Sequence, residues 1–364
     1  QERAVYNAIM KSIQILDKDD RQSKGAIPQI LSDALAVSFD THIGHNFLDD
    51  AESRYEFYHR KEDRIEFNLA YFNRITKGGV PKKTLNVILA GTGVGKSLFM
   101  CHCAAGNLMD GKNVLYITME MAEEKIAERI DANLMNVTVD ELSEMSFERY
   151  QKKMEKIRRK TDGKLIVKEY PTSSAGSANF RHLLNELKIK KNFVPDIVYI
   201  DYLNICNSSR IKQSANVNSY TYVKAIAEEL RGLAVEFQVP IFTATQTNRT
   251  GFTSSDVGLE DTSESFGLPA TADLMFALIS SEELESMNQI MVKQLKNRYN
   301  DPARYRRFVI GVDKSRMKLY DVDESAQDDL IDDRPVMDKT DFGSKDLERS
   351  GKDKFDLKKF EGFT

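Results

Sequence analysis

The stretch Ala90-Gly-Thr-Gly-Val-Gly-Lys-Ser97 constrains this chain more than any other. It follows the apolar run Leu85-Asn-Val-Ile-Leu-Ala90 and opens a helical pattern, so it reads as strand, glycine-rich loop and helix. A phosphate-binding loop requires that order. Gly91, Gly93 and Gly95 let the backbone curl until its N–H groups converge on phosphate oxygens, and the following helix adds the positive end of its dipole. Lys96 then reaches the β- and γ-phosphates, and the Ser97 hydroxyl ligates Mg²⁺. Gly91, Thr92, Gly93, Val94, Gly95, Lys96, Ser97 and Leu98 are the expected nucleotide-binding residues, for ATP or GTP with Mg²⁺. Ala90 departs from the motif, which usually begins with glycine.

A strand feeding such a loop belongs in a covered sheet, and the rest of the chain supplies one. Strands are expected at 84–90, 113–118, 165–169, 196–201, 241–245, 274–279, 290–294 and 308–312. Helices are expected at 96–109, 123–135, 147–160, 178–190 and 220–237. Strands alternating with helices of this length give an α/β fold with a mostly parallel sheet. The later strands have no helical pattern between them, so the sheet is expected to end in hairpins.

Three strand ends carry further chemistry. In Asp196-Ile-Val-Tyr-Ile-Asp201 the apolar run delivers Asp201 to the carboxyl end of a buried strand, where it can hold Mg²⁺ through water. Tyr202 follows, where many NTPases place a glutamate, so the base for the attacking water must come from elsewhere. Glu120 lies just beyond Val114-Leu-Tyr-Ile-Thr118, on the same sheet edge, and is the candidate; a glutamate favoured by a helix start is the plainer reading. Gln246 closes a third strand. An amide there can sense the γ-phosphate and move the polar Gly/Ser-rich loop 247–262, or it can simply cap a turn.

Composition sets the class and excludes little. The chain has 364 residues, 41% hydrophobic and 30% charged, with a net charge of −4 that neither requires nor forbids a nucleic-acid partner. No run of 18 apolar residues exists, so no membrane span is expected. Three sparse cysteines give no disulfide framework and point to a reducing cytoplasm; Cys101-His102-Cys103 reads as small buried thiols rather than a metal centre. The chain begins at Gln1, and a preceding N-terminal portion is expected. Residues 1–64 read as a helical remnant, with Ile9, Ile13 and Leu16 on one face, and a linker helix at 27–37 whose apolar face is Ile27, Ile30, Leu31 and Ala34. Residues 65–320 are the expected ATPase domain, and 321–364 an acidic, disordered tail. The aromatic end of that tail, Phe355 to Phe363, is either solvated or a short partner motif.

Over roughly residues 65–320 these elements, in this order, resemble the DnaB-family replicative hexameric helicases, bacteriophage members above all. The resemblance runs through AGTGVGKS, TMEM (118–121), DIVYIDYLNI (196–205), TQTNR (245–249), DTSESFGLPATADLMFAL (261–278) and KQLKNRYN (293–300). It implies a RecA-like core in a homo-hexamer, ATP between subunits, single-stranded DNA in the central channel, and 5′→3′ translocation that unwinds duplex. It implies that Lys296 and Arg298, on a basic turn that the strand at 290–294 points outward, act on the neighbour's nucleotide, where the plainer reading is hairpin surface charge, and that the linker helix docks on the adjacent subunit. DNA is expected on two loops, one with Ser208, Ser209, Arg210 and Lys212, the other with Arg249, Glu264, Ser265, Phe266 and Gly267. Ser263 stands where relatives often carry arginine, which leaves the DNA-contacting cations open. Primase, a helicase loader, a polymerase complex and single-strand-binding protein are the implied partners, in the host cytoplasm. A RecA- or KaiC-like ATPase without unwinding is the alternative; a small-molecule kinase lacks an acceptor pocket and an Arg-rich lid in this sequence.

Overall fold

The computed structural model describes residues 2–17, 26–27, 30–31, 34, 46–59, 62–211, 218–246, 267–323 and 327. The chain divides into two units, residues 1–62 and 63–364. In the first, helices Glu2–Leu16 and Ala51–His59 are described. Ile9, Ile13 and Leu16 lie on the exposed side of the first helix, while Ala8, Ser12 and Ile15 are buried. Of the expected linker helix, residues 27, 30, 31 and 34 are described, and Ala34 is buried.

The second unit begins with a two-stranded antiparallel ribbon, β1 (Arg64–Ile65) and β2 (Val80–Pro81). Its main sheet has nine strands: β3 (Leu85–Ala90), β4 (Val114–Thr118), β5 (Leu165–Glu169), β6 (Ile197–Asp201), β7 (Ile241–Gln246), β8 (Leu274–Ile279), β9 (Gln289–Asn297), β10 (Arg307–Asp313) and β11 (Lys318–Asp321). They lie in the order β11-β10-β9-β8-β3-β7-β6-β4-β5. Six strands, from β8 to β5, run parallel, and β9, β10 and β11 are added antiparallel as expected of hairpins. β3 sits between β7 and β8 and is buried along its whole length, which its near-continuous apolar run allows. Of the expected tail, residues 321–323 and 327 are described, and the Gln327 side chain is buried against β10, where its amide bonds both the N–H and the carbonyl of Val309.

Helices cover both faces. On one, Lys96–Met109 and Ala70–Thr76 pack an aromatic cluster: Phe72 lies 5.0–5.3 Å from Phe99, Phe276 and Phe308 by ring centroids. On the other, Ser177–Lys191 and Ser219–Glu236 supply Phe180, Leu184, Ile226 and Leu230. Asn218 caps the latter helix, accepting from the Tyr220 N–H at 3.1 Å. Cys101 and Cys103 are buried free thiols on the first face, and burial pushes Cys101 up to about 12. No described helix is long and apolar enough to cross a membrane.

Candidate active site

Because β3, β4, β6 and β7 run parallel, their carboxyl ends share one edge, and the sequence-predicted groups arrive there together. Register pairs Ala90 with Gln246 across β3 and β7, and Thr118 with Asp201 across β4 and β6. Gly93 and Gly95 have φ of 81° and 128°, in the region L side chains rarely adopt. At Gly93 an added Cβ would meet nothing within 4 Å, so the backbone turn itself is what requires glycine.

Lys96 is 7% exposed, and its Nζ donates to the Gly91 carbonyl at 3.2 Å, which holds the amine over the loop. Burial lowers its pKa, opposed by the charges of Glu120 and Asp201, which places all three ionisable groups in one electrostatic neighbourhood. Leu98 differs from the rest of the expected set. Its side chain is buried in the core beneath the loop, so it can meet a nucleotide through its backbone N–H alone.

Asp201 is fully buried. Its Oδ2 accepts from the Tyr116 hydroxyl at 3.1 Å, while its Oδ1 has no hydrogen-bond partner among the described residues. Burial raises its pKa and the charge of Glu120 adds to that; the Ser97 and Tyr116 hydroxyls and Lys96 pull it back. An orphaned carboxylate oxygen beside a serine hydroxyl is a hard-oxygen donor set, and it fits Mg²⁺. Tyr116, read in the sequence only as strand core, is the residue that aims this carboxylate.

Glu120 is exposed, two residues beyond β4, on a turn that Thr118 clamps. The Thr118 hydroxyl donates to the Met121 carbonyl at 2.7 Å and accepts from the Met121 N–H at 3.1 Å. The Met119 N–H donates to the Asp201 carbonyl at 2.9 Å. The turn is thus tied to the aspartate strand, with the Glu120 carboxylate left toward solvent. Gln246 is half-buried at the end of β7, and Thr245 donates to Asn204 Oδ1 at 2.9 Å, linking this strand tip to the turn after Asp201.

Lys296 and Arg298 lie elsewhere. The expectation of a basic turn after a strand at 290–294 is corrected: β9 continues to Asn297, with an irregularity opposite Met275/Phe276 that absorbs Leu295. Lys296 therefore pairs with Met275 inside the sheet, and Arg298 follows the strand end. Since β9 is antiparallel to β8, this end lies at the edge where β3 begins, opposite the phosphate loop. The length of β3 separates the two, about 17 Å at the rise of an extended strand. There Arg298 Nη1 donates to Asp273 Oδ1 at 2.8 Å, and Lys296 Nζ donates to the Pro269 and Ala270 carbonyls. Burial and the charge of Arg298 lower the Lys296 pKa.

The expected DNA-contacting residues are less gathered. The half-exposed Arg210 side chain is tied to the helix Ser219–Glu236: Nη2 donates to Glu228 at 3.1 Å and Nε sits 3.5 Å from Glu229. Ser208 and Ser209 also donate to Glu229, with Ser177, and these bonds overcome burial to hold that carboxyl at about 2. Gly267 begins the short helix Gly267–Thr271. Lys212, the loop 247–262 with Arg249, and Glu264, Ser265 and Phe266 lie outside the described residues.

Comparison with known proteins bears on family and fold. The DnaB-like helicase C-terminal domain family matches residues 65–316. A DnaB-like replicative helicase of Enterobacteria phage T4 is 49% identical over 338 residues, 90% of this chain and 71% of that protein. The replicative DNA helicase DnaB of Helicobacter pylori strain 26695 is 27% identical over 207 residues, 55% of this chain and 40% of that protein. Among solved structures, one of a DnaB-like replicative helicase and its interactions with primase superposes with a TM-score of 0.66 at 17% identity, covering 87% of this chain and 76% of that one. A second, of a separate ATPase domain, gives 0.62 at 19% identity, covering 77% of this chain and 100% of that one. These two show the fold, and the family match and the phage relative show the lineage: the chain belongs to the DnaB-like replicative helicases, NTP-dependent enzymes that unwind DNA.

Proposed function

We propose that this helicase works as a homo-hexameric ring that hydrolyses ATP or GTP at the junctions between subunits and moves 5′→3′ along one DNA strand, excluding the other. The observation that carries the reading is the placement of Arg298 at the opposite end of β3 from its own phosphate loop, a strand's length of about 17 Å. An arginine finger must reach the transferring phosphoryl group. From the opposite edge of the sheet, Arg298 can serve only the nucleotide of another subunit.

In this reading Lys96 and the loop N–H groups cradle the β- and γ-phosphates, and Gly95 to Leu98 present the helix start to them. Ser97 and Asp201 hold Mg²⁺, which supplies charge neutralisation on the phosphates. Glu120, exposed on its clamped turn, accepts the proton of the attacking water. Arg298 of the adjacent subunit, assisted by Lys296, stabilises charge on the phosphoryl oxygens. Gln246 reports the γ-phosphate to the loop that follows it. Lys296 and Arg298 both bond carbonyls of the segment Gly267–Thr271, immediately after residues 247–266, which supports a second link from the finger to that loop.

DNA is held by its phosphates, through the segment after β6 with Arg210 and Lys212 and through residues 249–267, because a translocating motor must ignore sequence. Arg210 must exchange its bonds to Glu228 and Glu229 for a phosphate to take part. The linker at 27–37 docks on the neighbouring subunit. Primase, a loader, the polymerase complex and single-strand-binding protein are the partners, in the host cytoplasm.

The test is ATP turnover with and without single-stranded DNA, at protein concentrations spanning assembly. Stimulation by DNA that appears only on assembly supports a ring motor. Turnover indifferent to both would remove the ring mechanism and leave a self-contained NTPase.

A further inference from the structure

Asp273 stands at the head of β8, with a side chain only 5% exposed, and it is shared by two guanidinium groups. Arg231, on the helix Ser219–Glu236, grips it bidentately, Nη2 to Oδ1 at 2.9 Å and Nε to Oδ2 at 3.2 Å. Arg298 takes Oδ1 from the other side at 2.8 Å, and the Leu85 N–H donates to Oδ2 at 3.0 Å. The backbone fixes the same corner: the Arg298 N–H donates to the Asp273 carbonyl at 2.9 Å, and the Asp273 N–H to that of Leu85 at 2.8 Å. The two arginines remain 39% and 44% exposed. Lys296 adds a third cation beside them, and Arg231 and Arg298 both bear on its charge.

A buried carboxylate facing one arginine would bind it tightly, because its removal would strand a desolvated charge. Here the carboxylate already has a complete bidentate partner in Arg231. Arg298 is the surplus cation: Asp273 orients it, and its departure leaves the carboxylate still neutralised. We propose that Asp273 and Arg231 are positioning residues for the finger, Asp273 aiming Arg298 out of the sheet edge and Arg231 keeping it releasable to a phosphate on the neighbouring subunit. This rests on the reading of Arg298 as a finger acting between subunits.

The experiment measures kcat and KM for ATP of assembled protein with single-stranded DNA, for wild type, Arg298→Ala, Arg231→Gln, Asp273→Asn and the double variant Arg231→Gln with Asp273→Asn. Arg231→Gln removes the competing charge but keeps a donor, so Arg298 becomes trapped; kcat should fall about tenfold with KM nearly unchanged. Asp273→Asn keeps a neutral acceptor for the Leu85 N–H and for Arg298, so the aim is weakened only modestly while the charge that traps Arg298 is gone. The double variant should therefore recover most of the activity that Arg231→Gln loses. A role confined to stability predicts the reverse, a double variant worse than either single one, and that result would overturn the proposal. So would an Arg231→Gln protein with wild-type kcat. Wild-type turnover in Arg298→Ala would instead remove the finger reading beneath it.

Discussion

The two edges of the sheet are built from different materials. At the carboxyl edge of the parallel strands, the site is made of loop N–H groups, hydroxyls, one buried lysine and two carboxylates of which only Asp201 is buried. At the opposite edge, three cations surround one buried carboxylate. The first edge can cradle a triphosphate, hold Mg²⁺ and orient water, yet its own chain places Lys296 and Arg298 at the far end of β3. The second edge can stabilise phosphoryl charge, but the phosphate loop of its own chain is a strand's length away. In the proposed reading each edge is half of a phosphoryl-transfer site, and a head-to-tail contact between identical chains, closing as a ring, joins the unlike halves.

The largest effect that can break this comparison is expected from the far edge. Arg298→Ala should lower turnover of assembled protein by about 10³-fold or more while nucleotide binding persists, measured by steady-state hydrolysis beside a binding titration. Near-normal turnover would make the far edge an ordinary ion-pair cluster. Glu120→Gln, at the near edge, should cost about 10²- to 10⁴-fold in kcat with binding retained, the range for a lost general base. A loss confined to KM would instead assign Glu120 to binding.

Smaller effects sharpen the picture. Tyr116→Phe removes the hydroxyl that donates to Asp201 Oδ2, and unfolding in denaturant should show a loss of about 1–3 kcal/mol unless Mg²⁺ is present to satisfy the carboxylate. A loss unchanged by Mg²⁺ would place the ion elsewhere. The least effect concerns Glu229, whose serine partners hold it at about 2, below its ordinary 4.5. A depressed carboxyl stabilises the fold above the unfolded pKa, and that contribution fades as pH falls from 4.5 toward 2. Melting curves should therefore show wild type losing its advantage over Glu229→Gln across that window and keeping it above. An advantage that persists at low pH would mean that it does not come from the ionised carboxyl.

The near edge was legible in the sequence because its chemistry sits at the ends of strands. Apolar runs locate Asp201, Glu120 and Gln246 within a residue or two, and parallel order then gathers them. The helices Lys96–Met109 and Glu123–Met135 match the sequence reading end to end, since each begins just after a strand-end loop. What escaped was set by tertiary register. The irregularity that lets β9 run on to Asn297 has no local signal, so Lys296 read as a turn residue. Tyr116 looked like core because its ring is core; only its hydroxyl reaches Asp201. Asp273 offered a faint signal, an aspartate heading an apolar strand, but nothing local says that Arg231 and Arg298, far apart in the chain, would share it. Arg210 read as a DNA-facing loop residue because its partners, Glu228 and Glu229, lie on a later helix.

The most direct test mixes two inactive proteins. Lys96→Ala subunits keep the finger edge and lose the phosphate loop; Arg298→Ala subunits keep the loop and lose the finger. If the active site is shared between neighbours, an equal mixture at assembling concentration should regain roughly a quarter of wild-type turnover, from junctions that pair one intact loop with one intact finger. If each chain completes its own site, the mixture will stay as inactive as its parts, and the account of a divided site is wrong.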